Sequence, residues 1–241
     1  MKIKCIGTGT LTTDRALTSF LIDDDILFDI GGGVVQELKK HKIDTSKIKN
    51  IIISHYHADH LFDLPAYIVR RNLRKENGDD LTIIGPSDIE SVVSKIRDIC
   101  SSGLEHLWDF PTINVKFAGL GNRESYNAEG SAIVAYDVVH AGTKPCSGYT
   151  IERNGITIGF SGDSAKCDGL DKIVEQSSAI FIDANSFEPD PMGFHLGLTG
   201  ALEYATKYPN KKFYLIHRGD YELPGLPDNV FAPLDGEEVK L

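Results

Sequence analysis

An α/β fold is predicted, on three observations. Short apolar runs that read as strands alternate with runs that read as helices. No internal repeat, low-complexity linker or domain boundary interrupts them, so residues 1–241 read as one domain of a size that suits a large α/β unit. The residues best equipped for chemistry fall directly after strand-like runs, and the C-terminal ends of strands are where α/β proteins build their sites.

Residues 2–6 read as the first strand, closed by the turn Gly7-Thr8-Gly9-Thr10. Residues 19–22 and 26–29 flank the acidic turn Asp23-Asp24-Asp25 and form a hairpin. Gly31-Gly32-Gly33 opens a helix to about His41. A glycine run can cradle phosphate at a helix N-terminus, but no G-x-x-x-x-G-K-[ST] pattern accompanies this one, and it reads as a tight strand-to-helix turn. Residues 51–54 form a buried strand. Residues 64–75 form a helix that tolerates Pro65 in its first turn. Residues 81–84 form a strand closed by Gly85-Pro86, and Ser87 with Glu90 makes a capping box for a helix to about Cys100. Strands follow at 115–117, 132–139, 148–153 and 157–161, the last two joined at Asn154-Gly155. A helix at 170–176, a strand at 179–183, a helix at 199–207 and a strand at 212–216 complete the reading.

The balance of charge narrows the partners. A net charge of −10 and a pI near 5.2 disfavour a long polyanion, because phosphate-backbone affinity comes from clustered Lys and Arg. A small anionic substrate remains compatible. Arg70, Arg71 and Arg74 read as a solvated basic helix face. Cys5, Cys100, Cys146 and Cys167 are widely spaced with no C-x-x-C, as expected of free thiols in a reducing cytosol. The N-terminus reads as a strand rather than a signal peptide, and no apolar run approaches the roughly 18 residues that span a bilayer. The expectation is a soluble cytoplasmic protein with no membrane partner.

The richest stretch is His55-Tyr56-His57-Ala58-Asp59-His60, an H-x-H-x-D-H pattern directly after the apolar run Ile51-Ile52-Ile53. Three imidazoles and a carboxylate within six residues are expensive to keep unless a metal uses them. On a turn, His55 and His57 point to one ion while Asp59 and His60 reach a second. His and Asp suit zinc, with manganese and iron as alternatives. Two ions need more ligands. His140, Asp163 and His217 each stand just beyond a strand-like run. The full set assigns His55, His57 and His140 to one metal, Asp59, His60 and His217 to the other, and Asp163 to both. His195, on a Pro- and Gly-rich loop, suits a general acid. His41 and His106 have no such context.

These residues carry a resemblance. The chain resembles the metallo-β-lactamase superfamily of two-metal hydrolases, over nearly its whole length, and within it the ribonuclease Z and cyclic-nucleotide phosphodiesterase branch. Leu27-Phe28-Asp29-Ile30-Gly31 is similar to the family's early aspartate-glycine motif. Ser54 to Pro65 is similar to the metal motif and the helix after it. Leu81-Thr82-Ile83-Ile84-Gly85-Pro86, His140 with Gly148-Tyr149-Thr150, Ser161-Gly162-Asp163-Ser164, His195, Leu215-Ile216-His217 and Ala232-Pro233-Leu234-Asp235-Gly236 match further segments. The resemblance implies an αββα four-layer sandwich, the metallo-β-lactamase fold. It also implies two divalent cations, zinc first, and phosphodiester hydrolysis by a hydroxide shared between them. Asp59 would bind a metal and orient that hydroxide, His195 would act as the acid, and Asp29 would steady a ligand histidine.

The departures from the branch refine the substrate. Ribonuclease Z carries a basic arm that clasps tRNA, in many bacterial members between the third histidine and the bridging aspartate. Here His140 and Asp163 are only 23 residues apart, and residues 81–132 hold no basic cluster. A small phosphodiester or cyclic nucleotide is therefore expected ahead of tRNA 3′-end cleavage. Asp183-Ala184 stands where the branch has a Glu, which puts a supporting partner in question. Lys144 and Arg218 are candidate phosphate contacts. Rival readings are a lactonase, arylsulfatase or thioesterase of the same fold, a di-iron redox protein, and a non-catalytic metal-binding sensor. Leu104, Leu107, Trp108 and Phe110 form a candidate apolar patch for a lid or a homodimer.

Overall fold

The computed structural model describes residues 1–74, 80–100, 114–140, 142 and 145–241. Lys75, His106, Lys144 and the 104–110 apolar patch lie outside the described residues. Two seven-stranded sheets form the centre. The first is built from β1 (Lys2–Gly7), β2 (Ser19–Ile22), β3 (Ile26–Phe28), β4 (Asn50–Ile52), β5 (Leu81–Pro86), β6 (Val115–Leu120) and β14 (Glu238–Lys240), in the order β14-β1-β2-β3-β4-β5-β6. The second holds β7 (Ser125–Ala128), β8 (Ser131–Asp137), β9 (Ser147–Arg153), β10 (Ile156–Phe160), β11 (Ala179–Asp183), β12 (Lys212–Ile216) and β13 (Val230–Phe231), in the order β13-β12-β11-β10-β9-β8-β7.

Strand alternation explains how the sheets stack. Ile26 and Phe28 of β3 face the other sheet, whereas Leu27 faces helices. In β11 Phe181 faces inward while Ile180 and Ile182 face outward. Between the sheets runs a ladder of rings: Phe28 on Phe160 at 4.5 Å, Phe160 on Phe181 at 4.8 Å, and Phe181 on Tyr214 at 4.9 Å. Helices α1 (Val34–Lys40), α3 (Leu64–Leu73) and α4 (Ile89–Cys100) cover the outer face of the first sheet, and the single turn α2 (Ala58–Leu61) precedes α3. Helices α5 (Asp168–Gln176) and α6 (Gly197–Lys207) cover the second. The result is the four-layer αββα sandwich. Arg153, at the end of β9, ties the sheets at their far edge. Its guanidinium forks onto Asp25 at 2.9 and 2.9 Å and reaches Asp23 at 3.2 Å, in the β2–β3 turn.

Several expectations shift in detail. β4 ends at Ile52, two residues early: the Ile53 N–H still reaches the Ile84 carbonyl at 2.8 Å, but Ser54 turns to Asp29. β5 does not close at Gly85-Pro86; Gly85 and Pro86 pair with Gly119 and Leu120, Pro86 at the last rung where its missing N–H is tolerated. α4 begins at Ile89, so Asp88 rather than Ser87 holds the cap position. Arg71 is not on a solvated face. It sits 100° around the helix from Arg70, buried, with Nη1 donating to the Ile48 carbonyl at 2.9 Å. The short strands β7, β13 and β14 were not expected, being too brief to show a period.

Candidate metal centre

β9 runs antiparallel to both β8 and β10, and β10, β11 and β12 are parallel. The ends of β8, β10, β11 and β12 therefore open on one rim, which is also the rim reached by the ends of β3 and β4. Asp29, residues 55–60, His140, Asp163, Asp183 and His217 all lie there. β3 hands directly to Asp29, which adopts a left-handed φ of 54°. That turn aims its buried carboxylate at Ser54, whose N and Oγ both donate to it at 2.8 Å. Gly31 is needed for a close approach: a Cβ there would run into the backbone carbonyl of Asp59. With glycine, the Ile30 N–H reaches the His60 carbonyl at 2.8 Å and the 55–60 turn seats on α1.

Three overlapping groups of ligand atoms result. His55, His57 and His140 form one; Asp59, His60, Asp163 and His217 form a second; Asp163 and His217 also join Asp183 and His195 in a third, and within each group the ligand atoms lie within 4.8 Å of one another. Asp163 Oδ2 reaches toward the first two. It is 3.9 Å from His55 Nε2, 3.8 Å from His140 Nε2, 3.3 Å from His60 Nε2 and 3.4 Å from His217 Nε2. Most of the rings have one nitrogen held from behind. His60 Nδ1 donates to Asp29 at 2.7 Å, and His140 Nδ1 donates to the Phe194 carbonyl at 2.8 Å. His55 Nδ1 meets Ser54 Oγ at 3.0 Å, and His217 Nδ1 meets the Asn185 amide at 3.2 Å. Such outer partners fix the tautomer and leave Nε2 for a metal.

The donor set fits divalent ions. His55 Nε2, His60 Nε2 and Asp163 Oδ1 are buried with no hydrogen-bond partner. Orphaned buried polar atoms are rare and costly, and here they converge on the same few ångströms with nitrogen and carboxylate ligands suited to zinc, manganese or iron. Charge agrees. Burial pushes the Asp163 carboxyl up, but His217 and His60 outweigh it and hold it well below the usual range. Burial pulls His60 down, but Asp163 and Asp29 outweigh it and hold it well above. His55 is depressed by burial and by His60. Histidine binds a metal through a deprotonated nitrogen, so a cation held here would release a proton from His60.

His195 lies against this cluster. Its ring stacks on His217 at 5.3 Å, and its Nδ1 donates to Asp183 Oδ2 at 2.8 Å. Burial lowers its pKa, but the hydrogen bond and charge of Asp183 prevail and raise it to about 9. The imidazole is thus protonated at neutral pH. Asp183 also accepts from the N–H groups of Ser164 and Asn185. The shorter side chain at this position still supplies a carboxylate partner. The cluster floors a cavity of about 500 Å³ whose walls include Thr10, Leu11, Thr12 and Phe194. Arg218 is buried beside His217 but does not line the cavity. His41 packs far away against Glu37. Sequence reasoning did not single out Asn185 or the Phe194 carbonyl, neither of which belongs to a spaced motif.

Fold and site together define a metallo-β-lactamase-type hydrolase. The family described as the β-lactamase superfamily domain matches residues 24–218, and the chain belongs to it. Ribonuclease Z of Staphylococcus carnosus is 31% identical over 160 residues, 63% of this chain and 49% of that protein. Ribonuclease Z of Pyrococcus abyssi is 27% identical over 235 residues, 90% of this chain and 73% of that protein. The chain spans half or less of the staphylococcal relatives it matches. Among solved structures, the short form of human tRNase Z shares the fold with a TM-score of 0.76 at 18% identity, over 100% of this chain and 99% of that one. A diphosphatase of the PhnP family does so with 0.76 at 20%, over 100% and 97%. Among the described residues no helix is long and apolar enough to cross a membrane.

Proposed function

We propose that the protein hydrolyses a small phosphodiester, with His55, His57 and His140 holding one divalent cation and Asp59, His60 and His217 a second. Asp163 serves both. The observation that carries this reading is the convergence of seven ligand side chains on two adjacent points, with His195 stacked beside them on His217. Bound there, the ions would lower the pKa of a water and neutralise charge developing on phosphoryl oxygens. Zinc is the first choice for the donor set.

The chain's own residues supply the rest. Asp163 and Asp59 are the only carboxylates among the seven ligands, the rest being imidazoles, so two bound dications would leave the centre net positive toward an anionic diester. His195 delivers a proton to the leaving oxygen, and Asp183 keeps its Nδ1 occupied so that Nε2 is the proton-bearing face. Leu11 and Phe194 give the cavity wall apolar surface. The relatives named ribonuclease Z and the PhnP-family diphosphatase support a phosphorus ester or anhydride as the bond cleaved. The net charge of −10 and the short span from His140 to Asp163 support a small substrate over tRNA.

The test is turnover of bis(p-nitrophenyl) phosphate and of a p-nitrophenyl alkyl diester by protein loaded with zinc or manganese, with His195→Ala and a nitrophenyl carboxylic ester alongside. Loss of a general acid costs about 10²–10⁴ in rate, and the loss should grow as the leaving alcohol becomes poorer. Turnover of the carboxylic ester alone would replace this reading with an esterase or lactonase.

A further inference from the structure

Among the described residues, Arg218 is a strongly charged group near the centre that the proposed reaction leaves idle. It follows His217, whose left-handed φ of 48° ends β12 abruptly and sets the Arg218 N–H on the Thr8 carbonyl at 3.0 Å. Arg218 is only 6% exposed. Among the described residues its side chain makes no hydrogen bond, ion pair or ring contact, and its Nε is sealed from solvent with no acceptor. A guanidinium presents five N–H donors and stays charged. Of its nitrogens only Nε is sealed, and a sealed N–H without an acceptor is rare and costly, while the Nη groups are left to solvent.

The surroundings do not supply the missing acceptor. Asp235 is near, but its Oδ1 takes the Thr8 N–H and hydroxyl at 2.9 and 2.9 Å, and its Oδ2 takes the Ala16 N–H at 2.7 Å. Asp220 is 60% exposed and pairs with Arg15 at 3.3 Å. Arg15 itself lies across the Arg218 backbone, donating to the Arg218 and Gly219 carbonyls, and its Nε is likewise buried and unpartnered. Two guanidiniums thus lie close together on loops 8–18 and 217–221, and the carboxylate that pairs with Arg15, Asp220, faces solvent. The same loops contribute Thr10, Leu11, Thr12 and His217 to the cavity wall, and no described Lys or Arg lines the cavity itself. The positive charge available to a second anion lies behind that wall.

We propose that Arg218, braced by Arg15, is an oxyanion subsite beside the metal centre that takes a second anionic group of the substrate, a terminal phosphate or carboxylate. The substrate is then a phosphodiester carrying another negative group. This rests on the phosphodiesterase reading for its reaction but not for its site. The guanidinium fork suits bidentate capture of such a group.

Two measurements test it. In metal-free protein at pH 8, the buried Nε–H groups of Arg15 and Arg218 should give protected ¹⁵N–¹H signals that shift saturably with inorganic sulfate. Arg218→Gln should abolish the Arg15 response, and Arg218→Lys should keep the charge but lose the fork. In metal-loaded protein, p-nitrophenyl propyl phosphate is compared with the same diester bearing a terminal phosphate on the propyl chain. Wild type should favour the second by kcat/KM, and Arg218→Gln should cut that ratio at least tenfold. Unmoved Nε–H signals with an unchanged ratio in a folded variant would overturn the proposal. Shifted signals with an unchanged ratio would overturn the substrate assignment and leave a free-anion site. Shifted signals with neither diester turned over would uphold the oxyanion site while sinking the phosphodiesterase reading.

Discussion

Replacing Asp29 with asparagine should separate the stability of the fold from the affinity of the metal centre. The Asp29 carboxylate is fully buried and accepts from Ser54 N, Ser54 Oγ and His60 Nδ1, the last at 2.7 Å. Asparagine keeps the shape and an oxygen for the Ser54 N–H. At the other position it presents an NH₂ to the His60 Nδ1–H, so two donors meet. The ring escapes by moving its proton to Nε2, the atom that faces Asp163 and Asp59. That tautomer cannot bind a cation through Nε2. Loss of an outer partner of this kind costs about 10–100-fold in metal affinity, or about 1.4–2.7 kcal/mol. The metal-free protein loses one of the two carboxylates that hold His60 charged, a cost partly offset because the buried Asp29 carboxylate is itself expensive to desolvate.

The assay is competition for zinc against a chromophoric chelator, paired with urea unfolding of the metal-free protein and ¹⁵N spectra of the His60 ring. The expected outcome is weakened binding, an Nε2–H tautomer, and metal-free stability within about 1 kcal/mol of wild type. Tight binding of both ions by Asp29→Asn would refute the argument. So would a loss of affinity that merely tracks a loss of folding.

Three further predictions concern packing and charge. Gly31→Ala drives a methyl into the Asp59 carbonyl and should weaken zinc binding at least tenfold through a shifted 55–60 turn, read by the same competition. Arg153→Ala removes the fork between the sheets; with Asp23 and Asp25 about a quarter exposed, the cost should be about 2 kcal/mol by urea unfolding, and lysine should recover less than half of it. Burial pushes the Cys5 thiol up to about 12. Its folded value lies above the unfolded one of 9.0, so its contribution is intact below pH 9 and drains away between pH 9 and 12. Wild type should therefore lose about 2 kcal/mol relative to Cys5→Ala between pH 9 and pH 10.5; a constant difference would show that the folded thiol ionises normally.

Much of this was legible in the chain because period-two patterning and turn chemistry act locally. Asp23-Asp24-Asp25 and Asn154-Gly155 announce their hairpins, since few other residues accept the left-handed φ values found at 23, 24, 154 and 155. The ligand positions were legible because each is a His or Asp just beyond an apolar run. Arg71 was misread because composition reveals charge but not which side of a helix carries it; the carbonyl that pays for its burial belongs to Ile48, 23 residues away. Asn185 and the Phe194 carbonyl were invisible because their role depends on loops that meet only in the folded chain. β13 and β14 were missed because strands of two and three residues owe their existence to a neighbour's edge.

The site's backbone shows why such a centre sits where strands stop. Asp29 and His217 follow their strands immediately, and both are left-handed, at 54° and 48°; Gly162, just before Asp163, is also left-handed at 58°. For a residue with a Cβ that conformation costs of order 1–3 kcal/mol. A strand continued past Phe28 or Ile216 would send successive side chains alternately to the inter-sheet core and the helix layer, neither of which tolerates a charge. The left-handed turn breaks that alternation within one residue and directs the carboxylate or imidazole along the rim. The strain persists because Asp29 is held by Ser54 and His60, and His217 by Asn185 and Asp59. Arg218 inherits its buried position from the same turn. The backbone distortion that completes the metal-ligand cluster therefore also places an unpaired guanidinium one residue away.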